Sequence, residues 1–140
     1  MKKYPYTRKR VGAAVIDYIL IWSLTIFYTI YFGEVDPDGS HTVHGGQCLA
    51  IPALWFLYFV VAERFGGTLG HRIFRLKVVG MDGEQPGTWR IFKRRLCDLF
   101  DITFSCGILG TLLINNTQYN QRLGDLVCRT QVIGRDDRVN

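Results

Sequence analysis

The sequence predicts an all-α membrane protein: two transmembrane helices plus a C-terminal helical hairpin, with a small cytoplasmic β-element. Three observations carry that prediction. First, hydrophobic residues make up 48% and charged residues 21% of the 140, but the two kinds are segregated. Residues 11–32 carry one charge, Asp17; residues 47–62 carry none; residues 96–114 carry only Asp98 and Asp101. About 20 apolar residues in a helix cover the roughly 30 Å of bilayer hydrocarbon. Second, the 17 Lys and Arg lie at three places: five before the first run, eight between the second and third, four after the third. The 33–46 loop has none and carries Glu34, Asp36 and Asp38. Cations collect on the cytoplasmic side. Third, two short segments alternate polar and apolar residues, the period of a half-buried strand. Together these exclude a disordered chain, a secreted disulfide scaffold and a water-soluble globule. They also exclude a nucleic-acid surface, which would place the cations on one continuous soluble face.

The first helix is expected from about Thr7–Arg10 to Phe32, ended by Gly33. It reads as a retained anchor, because its apolar core is longer than that of a signal peptide and no small-x-small cleavage site follows. Pro37, Gly39, Gly45 and Gly46 give the next stretch turn composition. The second helix is expected from about Gln47 to Arg64, with Pro52 in its first turns, where a missing N–H is tolerated. Gly66, Gly67 and Gly70 then break the chain. Residues 72–79 read as a strand, with Phe74, Leu76 and Val78 on one face and Arg75 and Lys77 on the other. Asp82-Gly83 is a hairpin-type turn signal. Thr88 is placed to cap a helix that starts at Trp89. Residues 127–133 read as a second strand, with Arg129 and Gln131 on one face.

A strand alone leaves its backbone groups unpaired, so the two strands are expected to pair in one compartment. That decides the third apolar run. If residues 96–114 crossed once, the strands and the last cations would lie on opposite sides. A hairpin that enters and returns, breaking at Ser105-Cys106-Gly107, keeps every basic segment cytoplasmic. The expected unit is a single membrane domain over residues 8–133, followed by a polar tail, 134–140. The expected location is the inner (cytoplasmic) membrane, multi-pass, with the N-terminus and the 64–95 connection in the cytoplasm and the 33–46 loop outside.

Asp17 is the sharpest chemical feature. A carboxylate in hydrocarbon costs several kcal/mol, so it is protonated or paired with a group from another segment. Arg10 shares its helix face but lies about 10 Å away along the axis. Two readings of Asp17 stay open: a proton or cation site, or a buried structural contact. The expectation is that basic partners from elsewhere in the chain hold it. Asp98 has Arg94 and Arg95 at helical neighbour spacing. Asp101 lies deeper and is the second candidate ionisable group. Arg122 and Asp125, three apart, are placed to reach the membrane carboxylates or the Arg-rich connection, where an Arg fork on a carboxylate would fix the hairpin.

Little else carries chemistry. Cys48, Cys97, Cys106 and Cys128 have no metal-ligand spacing and read as small packing residues. His41 and His44 are too weak a pattern for a metal. Gly66–Gly70 lacks the nucleotide-binding pattern. No nucleophile, base or cofactor constellation is visible, so neither an enzyme nor a cofactor is expected.

These residues resemble the RDD family of small bacterial membrane proteins, named for one arginine and two aspartates. The arginine matches Arg10 and the first aspartate Asp17, within Arg10-Val11-Gly12-Ala13-Ala14-Val15-Ile16-Asp17. The second aspartate matches Asp125 in Gln121-Arg122-Leu123-Gly124-Asp125-Leu126. Gly66-Gly67-Thr68-Leu69-Gly70-His71-Arg72, then Leu76-Lys77-Val78-Val79 and Asp82-Gly83, resemble the family's middle motifs, as does the Arg-rich helix that reaches Asp101. The resemblance covers roughly residues 8–133. Cys128-Arg129-Thr130 departs from it, since small residues usually precede the Thr.

The resemblance implies a transport role, with cation–proton antiport for some members. On that expectation Asp17 exchanges a proton for a cation, Arg10 and Arg122 tune it, and Asp101 lines the path. The alternative is a non-transporting accessory or scaffold subunit, with the motif residues as a conformational lock. A third reading is a headgroup-binding module that uses the basic cytoplasmic face. The partners expected are membrane lipids and either further copies of the chain or a larger membrane complex, with no nucleic acid.

Overall fold

The computed structural model describes residues 6–105, 108–117 and 120–137. Helix α1 runs Thr7–Phe32 and ends where the Gly33 N–H donates to the Thr29 carbonyl at 2.8 Å. Its buried residues are Arg10, Ala13, Asp17 and Ile21. Those spacings of three and four define a single helix face. The rest of the helix is apolar and uncovered: Trp22, Phe27 and Tyr31 are 67%, 68% and 72% exposed. The arrangement is inverted relative to a soluble protein, with the charges inside and the oil outside.

Two short strands, β1 (Glu34–Val35) and β2 (His41–Thr42), pair antiparallel in the loop that follows. A 3₁₀ turn, Gly45–Leu49, then leads into α2 (Ala50–Phe56), a π-helical turn (Leu57–Val61) and α3 (Ala62–Arg64). The Tyr28 hydroxyl donates to the Gln47 carbonyl at 3.0 Å and ties the far ends of the two long helical segments together. Thr7–Phe32 and Gly45–Ile73 are each long and apolar enough to cross a membrane. Only 17% and 11% of their apolar windows are buried, whereas the core helix of a soluble protein would be mostly buried.

The first expected strand begins later than the alternation implied. Residues Leu69–Ile73 form a short helix, α4, and strand β3 is Leu76–Gly80. Gly66 and Gly67, at φ +110° and +104°, turn the chain after α3. The Phe74 N–H then closes on the Gly70 carbonyl at 3.1 Å, and Arg75 at φ +52° ends the helix. Phe74 therefore lies outside the strand. Val78 and Val79 are both buried, so β3 is covered on both faces.

The second expected strand shifts in the same direction. Leu123–Val127 is a helix, α7, and β4 is Thr130–Gly134. Arg129, at φ +51°, precedes the strand, and Gln131 is buried within it. Hydrogen bonding of the Arg122 N–H to the Asp125 carboxylate (3.1 Å) supports a helix start that periodicity could not reveal. The pairing itself is as expected: β3 and β4 run antiparallel, from Leu76↔Gly134 to Gly80↔Thr130.

A turn does form at Asp82-Gly83, with the Gly83 N–H on the Gly80 carbonyl at 2.9 Å. It is not a hairpin, because the partner of β3 comes from the other end of the chain. It leads instead to α5 (Thr88–Ser105). The Ile91 N–H reaches the Gly87 carbonyl at 3.1 Å, so Thr88 is already the first helical residue and does not cap the helix. Helix α6 is Ile108–Asn116 and touches α5, α1 and α7. Of the expected break point, Cys106 and Gly107 lie outside the described residues.

The apolar core at the sheet joins Ala13, Leu76, Val78 and Val132, with Tyr6 and Phe74 packed against it. Contacts continue past Ile133: the Tyr6 hydroxyl donates to Asp137 at 2.9 Å. Two close approaches hold the helices in place. A Cβ on Gly70 would sit 2.2 Å from the Ala13 carbonyl oxygen, and one on Gly124 would sit 2.6 Å from that of Arg94. Of the cysteines, Cys128 is buried as expected, while Cys48 is exposed on the loop side and is not a packing residue.

Candidate functional site: a buried charged core

The structure brings the motif residues together at one end of the long helices, but not as one cluster. Arg10 reaches from α1 to α7. Its guanidinium donates to the Asp125 carboxylate and to the Asn120 carbonyl. Arg10 and Asp125 are 4% and 0% exposed as side chains. Asp125 also accepts from Arg94 Nε at 2.6 Å and from the Arg122 N–H at 3.1 Å. Arg94 continues to Glu63, Glu63 to Arg95, and Arg95 to Asp98 at 3.7 Å. The result is an alternating chain of three arginines and three carboxylates. It ties α1, α3, α5 and α7 to one another.

The electrostatics favour this arrangement only because it is complete. Burial alone would raise the Asp125 pKa; Arg10 and Arg94 outweigh it and hold the carboxyl well below the ordinary carboxylate range. A buried ion pair is weak evidence for stability, but breaking one leaves an uncompensated charge at a cost of about 3–5 kcal/mol.

Asp17 is anchored separately, 1% exposed. It accepts from the Tyr58 hydroxyl at 2.6 Å, the Thr68 hydroxyl at 2.6 Å and the Gly70 N–H at 2.7 Å. This corrects the expectation of basic partners: all three donors are neutral. Tyr58 comes from the π-helical turn, an irregularity often found at functional sites. Thr68 and Gly70 come from the turn that opens α4. Asp17 thus ties α1 to the second long segment and to the connection that follows it.

Arg122 also departs from expectation. Its backbone N–H, and not its guanidinium, bonds Asp125; its Nε is buried without a hydrogen-bond partner. The arginines that clasp Asp125 are Arg10 and Arg94. Asp98 pairs with Arg95, while Arg94 is engaged by Glu63 and Asp125. Asp101 is buried on α5 and interacts within the fold.

A small cavity lies between the two anchors, lined by Arg10, Ala14, Asp17, His71, Arg94, Arg95, Asp98 and Arg122. It leaves about 10 Å³ for the centre of a water-sized sphere, room for about one water molecule. The unpartnered His71 Nδ1 and Arg122 Nε belong to lining residues.

Glu63, Tyr58, Thr68 and His71 are site residues that the sequence reading did not assign, and Arg94 and Arg95 enter it only as local partners of Asp98. Glu63 directly follows an apolar run, and the fold turns it inward. The signal for Thr68 and Gly70 was present in the glycine-rich motif, without its purpose. No curated protein and no solved structure matches the chain. The RDD family model matches residues 4–129, and its span takes in Arg10, Asp17 and Asp125 with both apolar helices. The buried Arg–Asp pair, the separately anchored aspartate and two lipid-length helices thus fit that match, and the chain belongs to the RDD family and is a membrane protein.

Proposed function

We propose that this chain is a non-transporting accessory or scaffold subunit of a membrane assembly, in which Arg10, Asp17 and Asp125 lock the cytoplasmic ends of the helices together. The observation that carries this reading is saturation. Asp125 is clasped by Arg10 and Arg94, Glu63 by Arg94 and Arg95, and Asp17 by three neutral donors. A carboxylate in this state is held, not poised to exchange an ion. The topology that goes with it is multi-pass in the inner membrane, with the N-terminus cytoplasmic and α5–α6 as a hairpin that enters and returns. Its partners are lipid and either further copies or another membrane protein, with no enzymatic role and no cofactor.

A second reading is cation–proton exchange through Asp17. It is favoured by the small cavity that Asp17 lines with His71 and Arg122. One experiment separates the two. The purified chain is reconstituted into vesicles with a proton or Na⁺ gradient, and the parent is compared with Asp17→Asn. The lock predicts no flux above protein-free vesicles and a lower melting temperature for the variant. Flux that Asp17→Asn abolishes while the protein stays folded would overturn it.

A further inference from the structure

Beside the end of the second long segment lies a second cavity, of about 320 Å³, which shares Glu63 with the charged core among its described lining residues. It is lined by Gly66, Gly67, Lys77, Gly83, Gln85 and Arg135, with Glu63 and the edge of β3 behind them. Gly66, Gly67 and Gly83 are all in left-handed conformations, at φ +110°, +104° and +82°. Such turns favour glycine, and the missing side chains leave backbone open to a ligand. Arg72 lies near Gly66, its Nη2 3.7 Å from where a Cβ there would be, and donates to the Phe65 carbonyl at 3.3 Å. The one acid among the described lining residues, Glu63, already holds Arg94 and Arg95, so its charge is spent inward.

We propose that this cavity binds a phosphate ester anion of glycerophosphate size. Lys77 supplies a point charge and Arg135 supplies a fork suited to phosphate oxygens. The cavity is larger than one phosphate group needs. Among the described residues the lining includes no aromatic ring on which a nucleobase would stack, so the ester is a small polar one. Glu63, Gly66 and Gly67 in the lining directly follow the apolar run 47–62, and the residues flanking a membrane-spanning run meet the headgroups. Two sources present the same chemistry there: the headgroup of an anionic phospholipid and a free phosphate ester in the cytoplasm.

The test uses the full chain in neutral detergent with two probes, phosphatidylglycerol and glycerol 3-phosphate, read by native mass spectrometry and by thermal shift. Binding of either probe, weakened roughly tenfold by Arg135→Gln or by Lys77→Gln, is expected. Arg129→Gln, which removes an exposed cation that does not line the cavity, should leave binding near the parent's. Binding of the lipid alone assigns the headgroup as the source; binding of the soluble ester assigns the free anion. Arg135→Gln removes an exposed side chain, so it tests the site even if Lys77→Gln, which also loses a bond to the Arg135 carbonyl, fails to fold. The proposal is overturned if neither probe binds, or if Arg129→Gln weakens binding as much as Arg135→Gln does.

Discussion

At the residue scale the core distinguishes charge pairing from neutral anchoring. Asp125 depends on guanidinium partners, whereas Asp17 depends on two hydroxyls and one backbone N–H. The two aspartates should therefore respond differently to substitution. Arg10→Met leaves the buried Asp125 carboxylate with Arg94 as its one remaining guanidinium partner among the described residues, and Asp125→Leu takes the carboxylate from the buried Arg10 guanidinium; breaking a buried pair in this way costs up to about 3–5 kcal/mol. The double variant removes both charges and should cost less than the sum, because the two sites are directly coupled. Denaturation in detergent measures all three, and strict additivity would contradict the pairing. Asp17→Asn keeps one oxygen to accept hydrogen bonds but places an amide N–H₂ against groups that donate. Its cost should be milder, on the order of 1–3 kcal/mol for the donors left unpaired.

At the scale of elements the fold rests on two places where backbones nearly touch. Gly70 brings α4 against α1 at Ala13 and also donates its N–H to Asp17. Gly124 brings α7 against α5 at the Arg94 carbonyl. A side chain at either position cannot be absorbed by rotamer change, since the atoms it meets are backbone. Gly70→Val should separate α4 from α1 and cost the Asp17 anchor together with the packing. Gly124→Val should move Asp125 out of reach of Arg94. Each should lower the melting temperature more than Gly87→Val, where a Cβ meets nothing within 4 Å. Equal effects at the three sites would show that close approach is not what these glycines provide.

At the scale of the molecule, acid and topology give two further predictions. The Asp125 carboxyl is held below its ordinary value of 3.8 by Arg10 and Arg94, against the opposing effect of burial. Its contribution to stability is thus fully present above that value and drains away as pH falls below it. Melting temperature in detergent should be insensitive to Asp125 ionisation from pH 5 to 8 and fall steeply in stronger acid; Asp125→Leu should flatten the acid limb. For topology, Cys48 is a free, exposed thiol on the side of the 33–46 loop. With the N-terminus cytoplasmic, a membrane-impermeant maleimide should label Cys48 in intact spheroplasts. Labelling that requires permeabilisation would invert the orientation.

Much of the architecture was legible because it follows from local statistics. The end of α1 follows from an apolar run, interrupted only by Asp17, that Gly33 closes. Pairing of the two late strands follows from the need to satisfy backbone groups within one compartment. Asp17 stands out because a charge in hydrocarbon is costly, whereas Arg10 and Asp125 stand out through their spacing to other charges and the family resemblance. The strand limits failed for an equally local reason: Arg75 and Arg129 adopt left-handed conformations that alternation does not reveal, and helices α4 and α7 are too short to show a period.

The sequence by itself determined which segments are apolar enough for lipid, where the cations lie and which family motifs are present, since each is a property of consecutive residues. Only the tertiary structure decided which charge meets which. Glu63, Arg94 and Asp125 are bonded across about 30 or more positions of chain, and a buried charge takes whichever partner the folded backbone carries within reach.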